Sequence, residues 1–313
     1  MSETPGSKLA PAAPAAMTVA VLCRADEPAL ARTLDGLEVA ARRLVAADGR
    51  ELRFAVCVNG PSGGPALAAA QALAGRHPSG QVQVLVDGRA DKARAWNLVR
   101  AACTTPLLAF CDADVDVAPD ALVALAAALA SEPEVALASA RQVAILSPAG
   151  ARASLVARAA AIPYRFDFQV VGGRLYLMRT AAVDAMPEAL LLEDGWLSAQ
   201  LGNDMLRTVP AAKVYFHPPS TLPDYFRERL RTEAGKIQIR EQRRGQGQPQ
   251  QAIARYRWGS MIDGLGPSDL PLIAVNLGVR FVARGLAELA TRRGKRIRWT
   301  PIASSKPQPT EVP

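Results

Sequence analysis

The chain has 313 residues, of which 50% are hydrophobic, 21% charged and 5% aromatic, and its formal net charge is +8. This hydrophobic content predicts a globular fold rather than a disordered chain, and the length allows one large α/β domain or two smaller ones. The basic charge favours an anionic partner, either a phosphate-bearing substrate or a membrane surface. No nucleic acid is expected, because aromatic residues are few and no recognition motif is present.

The cysteines and the first residues indicate where the protein works. The four cysteines, Cys23, Cys57, Cys103 and Cys111, show no C-x-x-C spacing, and three of them fall in or beside predicted buried strands. We therefore expect free, packed thiols and a reducing, cytoplasmic environment. Residues 1–16 are rich in proline and alanine without an apolar core, which predicts a flexible tail and not a signal peptide.

Apolar runs bounded by turn residues alternate with helical patterns in the first half of the chain. They predict strands over 17–23, 52–58, 82–86, 107–111 and 135–140. Four helices are predicted between these strands. The first ends near residue 46, the second ends near residue 76, the third begins at Asp91, and the fourth spans 119–130. Strands that alternate with helices of this length predict an α/β fold with a mostly parallel sheet covered by helices on both faces.

After residue 141 this alternation stops. A helical pattern over 151–161 leads to a glycine-containing segment at 170–179, and a strand is predicted around 213–217. The segment 224–242 is helical and strongly basic. Residues 241–251 contain few apolar side chains, which predicts a mobile loop.

An apolar helix is predicted over 270–293, and its longest uncharged run is about ten residues, half of what a membrane span requires. Polar residues recur at every fourth position, opposite Leu277, Phe281 and Leu289; they are Asn276, Arg280, Arg284, Glu288 and Arg292. A basic segment with Trp299 follows. The helix is therefore amphipathic, and two interpretations stay open. It lies on an anionic membrane surface through 270–299, or it packs against the domain with its basic end solvated.

The predicted strand at 107–111 ends in two carboxylates, Asp112 and Asp114. Alternate side chains of a strand share a face, so both would point the same way and repel each other unless a cation lies between them. Oxygen ligands of this kind suit Mg²⁺ or Mn²⁺, and the carboxyl edge of an open α/β sheet is where ligands bind. The alternative is an acidic turn that caps the helix beginning near Pro119.

Four segments, in this order along the chain, resemble the family 2 glycosyltransferases, which have the GT-A fold. The first is Cys23–Pro28 at the end of the first strand, and the second is the turn Val58–Ser62, which in that family reads the nucleotide base. The third, Asp91–Asn97, is similar to the family's Gly-Lys-x-x-Ala-x-Asn, with Asp91 in place of the glycine. The fourth is Asp112-Ala113-Asp114 itself.

The resemblance implies a donor side with Asp112 and Asp114 as ligands of Mn²⁺ or Mg²⁺. Lys92 would lie at a helix N-terminus, where the helix dipole already favours phosphate. The residues implied to bind substrate on this side are Cys23, Glu27, Asn59, Lys92, Asn97 and Asp112.

The resemblance also implies an acceptor side. Gly172 and Gly173 are similar to a glycine-containing strand of the family, and Glu193-Asp194 is similar to its Glu-Asp pair, in which the aspartate is the general base. Arg229 or Arg231 would clamp the departing phosphates, or lie on a solvated helix face. His217 would reach the metal, although a packing or surface role is favoured.

The resemblance covers residues 17–240 and implies a nucleotide-binding half at 17–116 and an acceptor half at 117–240. The flanking units are the tail 1–16, a loop at 241–252, a helical region at 253–300 and a tail at 301–313. The implied activity is inverting, metal-dependent transfer from a nucleoside-diphosphate sugar, UDP-sugar by preference, to a carbohydrate or lipid-linked acceptor. The implied setting is bacterial-type glycan or glycolipid assembly in the cytoplasm, at the inner face of the cell membrane.

Two rival functions stay open. One is a catalytically inactive GT-A-like protein that holds a nucleotide or a membrane partner. The other is a sugar-nucleotide pyrophosphorylase, which is disfavoured because the Gly-x-Gly-Thr loop of those enzymes is missing after the first strand. A Rossmann dehydrogenase is excluded because no G-x-G-x-x-G follows that strand, and the missing Gln-x-x-Arg-Trp argues against a processive synthase.

Overall fold

The computed structural model describes residues 14–61, 63–146, 154–165, 171–245, 266–295, 297 and 302–305. The expectations for residues 1–13, 246–252 and 306–313 lie outside these residues. Residues 241–245, predicted to begin a mobile loop, are helical instead, and residues 303–305 of the predicted C-terminal tail form a short 3-10 helix.

Four strands of the first half pair in parallel. They are β1 (Met17–Arg24), β2 (Leu52–Asn59), β3 (Val82–Asp87) and β4 (Leu107–Asp112). The helices that follow the first three are α1 (Leu30–Asp48), α2 (Pro65–Arg76) and α3 (Lys92–Ala102). Each of these elements lies within two residues of its predicted bounds, because every apolar run here is bounded by Gly, Pro or Asx turn residues.

The second half adds four strands, two of which run antiparallel to their neighbours. Its elements are β5 (Asp116–Val117), α4 (Ala121–Ser131), β6 (Leu137–Ala144), α5 (Leu155–Ala161), β7 (Leu175–Arg179), α6 (Glu193–Leu201) and β8 (Leu206–Phe216). The strand order is β3-β2-β1-β4-β7-β6-β8-β5, and β7 runs antiparallel to both of its neighbours. The α/β sheet flanked by helices confirms the predicted fold class.

Strand β8 begins well before the predicted 213–217. Its first part pairs with β6 at Leu206–Val209, and a register shift follows between Ala140 and Arg141 of β6. Burial alternates only in the last part of β8, so only that part has the period-two pattern by which a sequence reveals a strand.

Apolar side chains cover both faces of the sheet. On one face α1 contributes Leu30, Leu34 and Leu37, each of which is at most 1% exposed. On the other face Trp96 of α3 and Leu197 of α6 are equally buried. Sheets covered on both faces produce the continuous apolar strands seen in the sequence. All four cysteines are free, and three of them are buried in strands, which confirms the predicted packing role.

The parallel strands end together. Asp112 at the end of β4 is opposite Leu22, Arg24 at the end of β1 is opposite Asn59, and Asn59 is opposite Asp87. Polar side chains from four strands therefore meet at one edge of the sheet, as expected for an open α/β fold.

Two long helices complete the described structure, α7 (Leu222–Gly245) and α8 (Leu270–Arg292). Helix α8 packs through Leu272, Ala283 and Ala287, and also through Asn276, which is only 4% exposed. Asn276 Nδ2 donates to Tyr225 Oη at 2.7 Å and to the Ala159 carbonyl at 3.0 Å.

The larger apolar side chains of α8 face outward. Phe281 is 81% exposed, and the others that are exposed are Leu270, Leu277, Val282, Leu286 and Leu289. Helix α8 therefore packs against the domain through one face and leaves this apolar face exposed. Among the described residues, Pro267–Arg292 is the one helix with the length and hydropathy of a membrane span, and 22% of its apolar window is buried.

Candidate active site

Two adjoining cavities open at the carboxyl edge of the strands. The larger has a volume of about 1140 Å³ and is bordered by the ends of β1, β2 and β4. The smaller has a volume of about 240 Å³ and lies beside the start of α6. Several charged side chains line both and so form the boundary between them; they are Lys92, Asp112, Arg174, Glu193, Glu228 and Arg231.

The two aspartates of the D-x-D segment both line the larger cavity. Strand β4 ends at Asp112, so Asp114 belongs to the following turn and strand alternation does not fix its direction. Instead, Thr33 of α1 holds the turn. Its hydroxyl lies 2.9 Å from the Ala113 carbonyl and 2.8 Å from the Val115 carbonyl. Thr33 was not among the predicted site residues, because its role depends on contact with a turn 80 residues away in the sequence.

Lys92 is the first residue of α3 and joins that helix to β4, because its Nζ donates to Asp112 Oδ1 at 2.7 Å. Burial lowers the pKa of Lys92, but the charges of Asp112, Glu193 and Asp194 outweigh burial and hold the pKa above its usual value. Lys92 is therefore a permanent cation at the boundary between the cavities, beside the N-terminus of α3.

Glu193 and Asp194 form the first turn of α6. Asp194 lines the smaller cavity and Glu193 lines both. Asp194 Oδ1 accepts from the Gly195 N–H at 2.7 Å. A Cβ built at Gly173 would lie 3.0 Å from Asp194 Oδ2, so glycine is needed for this close approach. The predicted Glu-Asp pair thus lies next to Lys92 and Asp112.

Burial raises the pKa of Asp194, and the charge of Asp112 adds to this effect. Lys92, the Gly195 N–H and Arg231 oppose it. Burial likewise raises the pKa of Glu193, against the charge of Lys92. Glu193 Oε1 is buried and makes no hydrogen bond with any residue that the structure describes. A carboxylate with a raised pKa is a stronger base than one in water, which suits proton removal from a weak acid.

Arg174 also lines both cavities and was not among the predicted site residues. Its guanidinium lies 3.5 Å from the centroid of the Phe216 ring, and it also hydrogen-bonds Gln142. Its backbone carbonyl accepts from the Asp112 N–H at 2.9 Å. Arg174 directly follows the glycine pair, so the sequence signal was present but was attributed to the glycines.

The other predicted donor-side residues are placed as follows. Cys23, Glu27 and Asn59 line the larger cavity. Burial raises the pKa of Cys23 to about 12, so its thiol is neutral and forms part of the cavity lining. Glu27 Oε1 accepts from the Ala29 N–H at 3.1 Å and thereby orders the turn after β1.

Asn97 does not reach either cavity. Its side chain donates to the Met186 carbonyl at 2.8 Å and accepts from the Met186 N–H at 2.9 Å. Gly172 also lies outside the two cavity linings, where a Cβ would meet Gln142 and the Ala140 carbonyl. These two residues support the loops of the acceptor side.

The two predicted arginines of α7 differ in position. Arg231 lines both cavities, whereas Arg229 lines the smaller one and is paired with Glu228. The charge of Glu228 outweighs burial and raises the pKa of Arg229. Arg231 is therefore the better placed of the two for a ligand that bridges the cavities.

The donor set suits a hard divalent cation. Asp112, Asp114 and His217 line the same cavity. Mg²⁺ and Mn²⁺ are commonly bound by one or two carboxylates, with substrate phosphates completing the coordination. Among the described residues, no three acidic, histidine or cysteine side chains are gathered into a complete metal cluster. The residues therefore fit a cation that is coordinated partly by protein carboxylates and partly by the oxygens of a bound phosphate.

Comparison with solved structures identifies the fold. A mannosyl-3-phosphoglycerate synthase from Rubrobacter xylanophilus superposes with a TM-score of 0.52 at 15% identity, covering 81% of this chain and 79% of that one. A mannosyltransferase from Pyrobaculum calidifontis, solved with GDP-Man and Mn²⁺, superposes with a TM-score of 0.50 at 15% identity, covering 90% of this chain and 76% of that one.

No curated protein matches the sequence. The family model described as glycosyltransferase like family 2 matches residues 14–235, which include Asp112, Asp114, Glu193, Asp194 and the whole sheet. The resemblance carried by the four segments is thereby confirmed, and the chain belongs to the glycosyltransferase family 2, an enzyme family with the GT-A fold.

Proposed function

We propose that the enzyme transfers a sugar from a nucleoside-diphosphate donor, UDP-sugar by preference, to an acceptor hydroxyl. The donor would occupy the larger cavity and the acceptor hydroxyl the smaller one. The observation that carries this proposal is the approach of Lys92 to carboxylates of both halves: Lys92 bonds Asp112, whose neighbour Asp114 lines the same cavity, and the charges of Glu193 and Asp194 also act on Lys92.

The donor's diphosphate would bind where positive charge is concentrated. Lys92 and the N-terminus of α3 face this point, and Arg231 borders it. Asp114 and Asp112, with His217 nearby, would hold Mn²⁺ or Mg²⁺, which supplies positive charge against the leaving diphosphate. The mannosyltransferase with GDP-Man and Mn²⁺ supports this assignment by its shared fold. The Asn59 amide can both donate and accept hydrogen bonds with the nucleobase of the donor.

Asp194 would be the general base. It takes the proton of the acceptor hydroxyl while the acceptor oxygen bonds to the anomeric carbon. The bond from that carbon to the diphosphate oxygen breaks at the same time, and the diphosphate leaves with the electron pair. One base on the face opposite the leaving group gives inversion. The raised pKa of Asp194, caused first by burial, supports its role as base.

The test compares single amide substitutions. Calorimetry with UDP is expected to show tight binding only with Mn²⁺ or Mg²⁺, to show its loss in Asp114→Asn, and to show normal binding in Asp194→Asn. Asp194→Asn should lose about 10²–10⁴-fold in transfer, measured with a panel of nucleotide sugars. Asp116→Asn is the matched control, since Asp116 pairs with Arg32 at 3.0 Å. Binding without metal, or to no nucleoside diphosphate, would contradict the proposal, and binding without any turnover would favour an inactive protein.

We also propose that the enzyme works on an anionic membrane surface at the inner face of the cell membrane, with a lipid-linked acceptor in glycan or glycolipid assembly. Helix α8 presents Phe281 and its apolar neighbours outward, next to exposed Arg292, Arg293 and Lys295. An apolar face with a basic end fits the boundary of anionic lipid. Lys295 and Gly294 also line the larger cavity, so this end of the helix lies beside the donor.

Vesicle sedimentation tests the membrane proposal. The enzyme is expected to bind vesicles that contain phosphatidylglycerol and to bind pure phosphatidylcholine weakly. Phe281→Ser should reduce binding, whereas Val45→Ser, on a 41%-exposed side chain of α1, should not. Equal binding of wild type and Phe281→Ser would rule out this face.

A further inference from the structure

The turn before Glu193 has an unusual backbone. Ala189 has a φ of +58°, and among the described residues it is the one non-glycine residue with positive φ. An L-residue with a Cβ adopts this left-handed region at an energetic cost, and such residues persist only where their surroundings hold them. Ala189 lines the larger cavity and lies four positions before Glu193.

Two side chains hold this turn, one from the N-cap of α3 and one from α7. Asp91 Oδ2 accepts from the Ala189 N–H at 2.9 Å. Gln238 of α7 donates to the Ala189 carbonyl at 3.1 Å and accepts from the Leu191 N–H at 3.1 Å. Both backbone polar groups of Ala189 are therefore bonded by side chains, and not by neighbouring backbone.

The second oxygen of Asp91 acts on α3. Asp91 is the N-cap of that helix, and its Oδ1 accepts from the Arg94 N–H at 3.1 Å. One carboxylate thus connects the helix that begins with Lys92 to the turn that leads into Glu193 and Asp194. The corresponding Gly-Lys-x-x-Ala-x-Asn segment of the family has glycine at this position. Glycine has no side chain that could bond the Arg94 N–H or the Ala189 N–H.

The start of α6 is closely packed beyond this turn. A Cβ built at Gly235 of α7 would lie 2.5 Å from Leu192 Cβ, so Leu192 is pressed directly onto α7. Only three residues separate Ala189 from Glu193, of which Leu190 is buried and Leu192 contacts α7, so we expect a displacement of the turn at Ala189 to reach Glu193 and Asp194.

We propose that Asp91 is a positioning residue: through the turn at Ala189 it sets the distance between the acceptor-side carboxylates and the donor bound at the start of α3. This rests on the proposed function, because it assigns Asp194 the role of base. Asp91 acts by holding backbone groups and has no part in proton transfer.

The test separates the two bonds of Asp91. Asp91→Ser keeps a side-chain oxygen for the cap on Arg94 N–H but is too short to reach Ala189. We expect Asp91→Ser to bind UDP with Mn²⁺ as the wild type does, while kcat falls about tenfold or more with little change in donor KM. Ala189→Gly removes the cost of the positive φ, so the double variant Asp91→Ser/Ala189→Gly should regain most of the lost kcat.

A second readout does not need activity. Amide hydrogen exchange of residues 187–195 should quicken in Asp91→Ser and return toward the wild-type rate in the double variant, which tests the turn even if the sugar donor is other than expected. Asp120→Ser is the matched control, since Asp120 precedes α4 without capping it. Unchanged exchange in Asp91→Ser, a parallel loss of UDP binding and kcat, or a failure of Ala189→Gly to rescue would each overturn the proposal.

Discussion

The ammonium of Lys92 lies 2.7 Å from Asp112 Oδ1 and is also close enough to Asp194 to lower the pKa of that carboxyl group. Replacing Lys92 with Met leaves burial unopposed by this charge, so the pKa of Asp194 should rise further. A base must be deprotonated to act, and activity is therefore lost as the pH falls through its pKa. We predict that the acid limb of kcat/KM against pH shifts to higher pH in Lys92→Met.

The control for this shift is Lys92→Arg, which keeps the charge and should keep the position of the acid limb, whatever its effect on the absolute rate. An acid limb at the same pH in Lys92→Met and in the wild type would show that the titrating group is not Asp194.

Gly173 leaves room for Asp194, and a methyl group there would lie 3.0 Å from Oδ2 and 3.1 Å from Cβ of the aspartate. We predict that Gly173→Ala displaces the carboxylate and lowers kcat by about 10–100-fold, with UDP binding nearly unchanged. Steady-state kinetics and calorimetry together measure the two effects. Gly75→Ala is the control, because nothing lies within 4 Å of its Cβ and an alanine in α2 should leave kcat unchanged. Equal loss of UDP binding and turnover would contradict this explanation.

Thr33 holds the turn that carries Asp114 through contacts with two carbonyl groups. Thr33→Val keeps the shape of the side chain but removes the hydroxyl. Groups that orient a metal ligand typically contribute about 10–100-fold to metal affinity, and we predict a loss in this range for Mn²⁺-dependent UDP binding. Thr18→Val is the comparison, since Thr18 bonds Thr105 at 2.8 Å at the opposite end of the sheet. Metal titrations that do not distinguish the two variants would show that the turn holds without Thr33.

Asn276 anchors α8 through its bonds to Tyr225 and Ala159. We predict that Asn276→Ala lowers the free energy of unfolding by about 1–3 kcal/mol, because two buried acceptors lose their donor. Phe281→Ser, five residues further along on the exposed face, should change it by less than about 0.5 kcal/mol. Urea denaturation followed by circular dichroism measures both. A large loss in Phe281→Ser would mean that this face is covered within the protein.

The donor half was predictable nearly to the residue, whereas the directions of side chains were not. Lys92 and Asn97 both match the family segment, but five positions along an α-helix rotate a side chain by about 140°. Only Lys92 can therefore face the cavity, and Asn97 turns to Met186 instead. Strand β5 was missed because two residues are too few to show any periodicity.

The faces of α8 could not be assigned because periodicity reports an apolar side but not what covers it. A buried polar side chain needs a partner, and the partners of Asn276 come from α7 and α5, 51 and 117 positions away. Asp91 was misjudged in the same way. It stands where the family segment has glycine, and its bond to the Ala189 N–H joins residues 98 positions apart, which no local pattern can predict.

The outward stripe around Phe281 has a practical consequence for handling the enzyme. Adding sulfate strengthens contacts between apolar surfaces while it screens the attraction between basic side chains and anionic lipid. Rising ionic strength should therefore release the protein from vesicles and, in their absence, drive copies of it together through the same stripe. Vesicle binding should therefore decrease with added salt while self-association increases, and Phe281→Ser should weaken both processes.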